Sequence, residues 1–144
     1  MFYSQDRDQI RRVYLESWRK AREGLPMEAI EQLVADVVME HPEYHALLEH
    51  EERSLGREFL PELGEANPFM HMGMHIAIRE QVASNRPQGI RALHRRLCRA
   101  YGGVMEAEHA MMECLGEVLW QSQQMAMPPD EAAYMRALKG LETR

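Results

Sequence analysis

Apolar positions recur along the chain at intervals of three and four, a spacing that predicts helices. Between residues 4 and 24, Ile10, Val13, Tyr14, Ser17, Trp18 and Ala21 share one face, and arginine and lysine take the others. Gly24 offers a C-terminal stop and Pro26 a fresh start. A second helix over about 26–41 carries Ile30, Leu33, Val34, Val37 and Val38 as its stripe. It ends at Pro42, because the residue before a proline avoids helical backbone. A short third helix begins there, with Tyr44, Leu47 and Leu48 inward, and frays near Gly56. Residues 56–66 predict an irregular connection pinned by Phe59, Leu60 and Leu63.

The stretch 67–84 departs from the amphipathic pattern. It is apolar nearly all the way round, which a central helix needs and a surface helix does not tolerate. Asn67 is placed to cap it, and Pro68 takes the first helical position, where its missing N–H costs nothing. From Pro87 onward, Ile90, Leu93, Leu97, Tyr101, Val104, Met111, Leu115 and Val118 keep one seam through Gly102 and Gly103 without a phase break. That seam predicts one long helix over about 87–125, bent at the glycines. Pro128 and Pro129 end it, and Asp130 to Leu141 reads as a closing helix. No stretch alternates long enough to make a strand. The expectation is an all-α, single-domain bundle over 1–144, with five to six helices around the 67–84 segment and the long 87–125 helix.

Composition narrows the class. A chain of 144 residues can bury roughly 68–70% of its unfolded surface, so it needs no disulfide or metal to fold. Its net charge of −6 argues against indiscriminate binding to nucleic acid or membranes. Cys98 and Cys114 lack CxxC spacing and read as reduced thiols of a cytoplasmic protein. Met1 to Gln9 has no apolar signal region, and no apolar run is long enough for a membrane span. The 12 methionines suit irregular core gaps.

Candidate chemistry centres on histidine. His71 and His75 are one turn apart on one helix face and could share a metal ion. The same spacing also fits two hydrogen-bonded core histidines. The long helix offers Glu106-x-x-His109 followed by Glu113, a set that suits iron, manganese or zinc. Val104, Met111, Leu115, Val118 and Leu119 centre on the opposite side, so this stripe also fits a solvated face, although Trp120 on that side hints at partial cover. A second Glu-x-x-His is absent, which counts against a di-iron bundle. Around Pro42, Glu40, His41, Glu43 and His45 could converge, with His45 the most inward. Glu80, in an apolar helix, calls for a partner such as Arg12, Arg91 or Arg95. Met70, Met72 and Met74 point to different sides and read as core, which leaves axial haem ligation the weakest option.

The competing reading is electrostatic. Between Glu80 and Glu106 there is no acidic residue, and Arg91, Arg95 and Arg99 line one helical edge. Such an edge could grip phosphates or a protein partner, making the chain a non-enzymatic interaction module for protein or RNA. It could equally pair with the protein's own acidic helices. No nucleophile elbow, glycine-rich phosphate loop or zinc knuckle is present. The metal reading therefore leads, with His71, His75 and His109 as nitrogen donors, Glu106 and Glu113 as oxygen donors, and His45 as an addition.

Three segments together carry a resemblance: His-Pro-Glu-Tyr-His at 41–45, Asn-Pro-Phe-Met-His-Met-Gly-Met-His at 67–75 running into Arg-Glu-Gln at 79–81, and Glu-Ala-Glu-His-Ala-Met-Met-Glu-Cys-Leu at 106–115. The chain resembles, from Phe2-Tyr3-Ser4 to Trp120, the small bacterial family known as domain of unknown function 1841. The resemblance implies a proteobacterial cytoplasmic protein and brings no assigned activity with it.

Overall fold

The computed structural model describes residues 2–59 and 67–143. Leu60 and Leu63, expected to pin the connection, lie outside the described residues. Among the described residues the chain is all helical. Six helices have ten residues or more: α1 (Phe2–Glu23), α2 (Ala29–Met39), α5 (Pro68–Ser84), α6 (Ile90–Tyr101), α7 (Val104–Met125) and α8 (Glu131–Gly140). Between α2 and α5 lie a 3-10 turn at Pro42–Tyr44 and two single-turn helices, α3 (His45–Leu48) and α4 (Glu51–Ser54). Contacts gather into two compact units, Met1–Ile76 and Ala77–Arg144, and the boundary falls inside α5. No described helix is long and apolar enough to cross a membrane.

In the first unit α1 packs on α2. The core comprises Tyr14, Trp18, Val34, Val37, Val38, Leu48, Phe69, Met72 and Ile76, with Phe59 packed partly against it. The expected α1 seam is narrower than its spacing suggests, since Ile10 is 58% exposed. Its place is taken by Arg11, which is buried. The Arg11 guanidinium donates to the carbonyls of Ser54 and Arg57, both at 2.6 Å, and lies over the Phe69 ring at 4.8 Å. Arginine can be buried in this way because its planar cation satisfies carbonyls with its edge and aromatic rings with its face.

The Tyr14 ring meets Phe69 edge-on at 5.3 Å, and its hydroxyl donates to the Phe69 carbonyl at 3.3 Å. A Cβ at Gly73 would stand 3.3 Å from that hydroxyl, so glycine there lets α5 approach α1. Burial pushes the Tyr14 phenol up to about 12. The folded chain therefore holds this proton after an unfolded chain has lost it. The associated stability is intact below pH about 10 and falls as pH rises toward 12, by roughly 2 kcal/mol. Urea unfolding at pH 9 and pH 11.5 is expected to show a smaller alkaline loss for Tyr14→Phe than for the wild type.

In the second unit the expected single helix over 87–125 is two helices. Gly102 adopts a left-handed backbone at φ 87 and Gly103 follows at φ 158. Their N–H groups both donate to the Cys98 carbonyl, at 3.1 and 2.9 Å, closing α6. Left-handed backbone costs a residue with a Cβ about 1–2 kcal/mol and glycine almost nothing, so the pair is a place to turn. α6 then packs on α7 and α7 on α8. Of the expected seam, Ile90, Leu93 and Leu97 on α6 and Met111, Leu115 and Val118 on α7 are buried, whereas Val104, beside the turn, is 51% exposed. α8 starts as expected, with the Asp130 carboxylate accepting from the Ala133 N–H at 3.0 Å.

Candidate metal centre

The N-terminus of α5 is built as its sequence dictates. The Asn67 side-chain oxygen accepts from the N–H groups of Phe69 at 3.0 Å and Met70 at 3.2 Å. Phe69, Met72 and Ile76 then enter the first unit's core, while Met70 is 67% exposed. The face between these two sides carries His71 and His75.

His41 joins them from the end of α2. Its ring centroid lies 5.2 Å from that of His71 and 4.9 Å from that of His75, and the two α5 rings are themselves 4.9 Å apart. Nε2 of His71 and Nε2 of His75 stand 3.3 Å apart. One nitrogen from each of the three residues can be chosen so that all lie within 4.8 Å of one another. His75 is fully buried and His41 nearly so, whereas His71 is partly exposed.

Two features orient His41. Its Nδ1 lies 2.7 Å from the Val37 carbonyl. A carbonyl can only accept, so Nδ1 carries the proton and Nε2 of the neutral ring keeps its lone pair. This is the arrangement metal-ligating histidines usually show. Tyr44 stacks on the other side, with its ring 5.7 Å from His41 at an interplanar angle of 3° and 6.4 Å from His71. Burial raises the Tyr44 phenol above its ordinary range.

Two nitrogens each 2.0–2.1 Å from one tetrahedral ion are about 3.3 Å apart. The His71–His75 separation already meets this, and a His41 nitrogen lies within 4.8 Å of a nitrogen of each. The cluster thus has the donor type, spacing and burial to hold a metal ion.

The grouping among the described residues does not include the other residues singled out from sequence. His45 is not part of the grouping of three: its Nε2 accompanies the Val38 carbonyl at 2.8 Å and its ring lies 4.4 Å from Trp18. Glu106, His109 and Glu113 belong to the second unit and are exposed. The Glu106 carboxylate folds back over Gly103, with one oxygen 2.5 Å from where a Cβ would sit. Trp120 beside them is 56% exposed, so it signals no cover. Glu80 is exposed and needs no partner.

The buried carboxylate of the second unit is instead Glu108, 1% exposed. Arg79 grips both its oxygens, Nε at 2.9 Å and Nη2 at 3.1 Å. Near this pair, His94 and Cys98 sit one turn apart with Sγ 3.5 Å from Nε2. Burial holds the His94 imidazole below its ordinary range and the Cys98 thiol above its own. A thiol held protonated is a poor nucleophile. The arginine edge is partly committed: Arg91 donates to the Val82 carbonyl at 3.0 Å and to that of Ala83 at 2.6 Å, closing the end of α5. Arg95 and Arg99 remain exposed.

The family model described as Domain of unknown function (DUF1841) matches residues 6–140, and the chain belongs to this family. Comparison with curated proteins and with solved structures finds no match.

Proposed function

We propose that this protein binds one divalent transition-metal ion through His41, His71 and His75. The convergence of three imidazole nitrogens within 4.8 Å in a largely buried setting is the observation that carries this reading.

The donor set also favours some metals over others. The three nitrogens grouped among the described residues suit zinc or iron(II) better than manganese, which prefers oxygen. The ion would act as a Lewis acid or activate a bound water, with the chain supplying ligand geometry and a water-poor setting. Bacterial cytoplasm, where such ions are exchanged and cysteines stay reduced, is the location we assign.

Elemental analysis of untagged protein tests the proposal. About one equivalent of zinc or iron is expected in the wild type, and less than about a tenth in a His71→Ala/His75→Ala double variant. Equal, substoichiometric metal in the two proteins would sink it.

A further inference from the structure

We infer that Pro42 is a positioning residue of the metal centre: it turns the end of α2 so that a backbone carbonyl holds the His41 ring and sets which ring nitrogen is free for the ion. This inference rests on the metal-binding reading above and extends it from the ligands to the backbone that aims one of them. Pro42 is itself exposed, so its influence runs through the backbone and not through core packing.

The cause begins with a missing hydrogen. In a continuing helix each N–H donates to the carbonyl four residues back, so residue 42 would serve Val38 and His41 would serve Val37. Proline has no N–H, and its ring drives the residue before it out of helical backbone. His41 accordingly stands at φ −126, ψ 65. Its N–H donates to the Val38 carbonyl at 2.9 Å, in place of the one that proline lacks. The Val37 carbonyl, released from that backbone bond, instead takes the His41 ring through Nδ1 at 2.7 Å, beside the Glu40 N–H at 3.2 Å. A protonated Nδ1 leaves Nε2 as the lone-pair nitrogen of the neutral ring. Backbone and side chain of one residue thus share the two carbonyls at the end of α2. An N–H at position 42 would compete for the Val38 carbonyl, the His41 N–H would return to Val37, and the ring would lose its anchor. The same carbonyls form the negative pole of α2, a favourable neighbour for a cation.

Pro42→Ala restores the N–H at an exposed position and leaves all three proposed ligands in place. Two measurements compare the untagged full chains. In the metal-free state, nitrogen–proton correlation spectra of the imidazoles read which nitrogen carries the proton. We expect Nδ1 for His41 in the wild type and a mixture of tautomers in Pro42→Ala, a signature that a merely stabilising proline would not move. Competition with a chromophoric chelator reads zinc affinity. Pro42→Ala is expected to weaken it about 10–100-fold, the usual cost of disturbing a ligand's outer partner. Pro42→Gly restores the N–H with less drive to extend the helix, and its affinity is expected between the two. Zinc affinity unchanged in both variants would overturn the role of Pro42 and leave the metal reading standing, as would a wild-type His41 protonated at Nε2. A wild-type chain that takes up no zinc would overturn the metal reading and the role of Pro42 with it.

Discussion

Replacing Glu108 with alanine is expected to destabilise the protein by about 3–5 kcal/mol, the usual cost of removing one partner from a buried ion pair. Glu108 is 1% exposed and both its oxygens are held by Arg79, whose side chain is itself only 17% exposed. Truncation would leave the guanidinium without this carboxylate. The cost includes the loss of the charge that compensates a largely buried guanidinium, not only the net worth of the pair, so a double change should behave differently. An Arg79→Met/Glu108→Leu variant removes both charges while keeping volume and is expected to recover most of the loss. Urea unfolding of the three proteins distinguishes the cases. A loss below about 1 kcal/mol in Glu108→Ala would show that solvent reaches the pair, since exposed pairs are worth that little.

The same residue shows what sequence could and could not reveal. Glu108 stands at the spacing of Met111, Leu115 and Val118, all of them buried. A carboxylate within such a stripe demands a counter-charge, but its partner lies 29 residues away on another helix. No local pattern encodes that distance. The α6–α7 turn was hidden for a related reason. Tyr101 and Val104 are three apart, so the seam keeps helical phase across two glycines whether the chain runs on or folds back. Local signals, by contrast, were readable wherever the physics is local: the Asn67-Pro68 start of α5 and the Asp130 cap of α8 stand where the residues require.

The histidine cluster falls between these cases. His71 and His75 were legible because one helix places both. His41 was legible in principle, since it extends the Val34, Val37, Val38 stripe by one more step of helical spacing. Pro42 obscured this: it invites the reading that α2 has stopped, while the His41 N–H still reaches the Val38 carbonyl at 2.9 Å. The residue beyond the proline, His45, is turned toward Trp18 and Val38 instead.

Zinc at about a thousand times its dissociation constant is expected to raise folding stability by about 4 kcal/mol and the melting temperature by on the order of 10 °C, by mass action on the folded state. Chelator should reverse the shift. The argument turns on where the ligands come together. The chain has seven histidines, and an unfolded chain offers them too. Only the folded first unit holds three imidazoles in one place, and affinity for the unfolded ensemble would subtract from the gain. His75→Gln, close in size at a fully buried site, should abolish the shift along with His41→Gln. His50→Ala should keep it, because His50 is exposed and lies near Glu52, outside the cluster. Acid should shrink the gain, since protons compete with the ion for the same nitrogens. A thermal shift of equal size in the wild type and in the His75→Gln chain would place the bound zinc elsewhere and remove the thermodynamic basis for a site at these three residues.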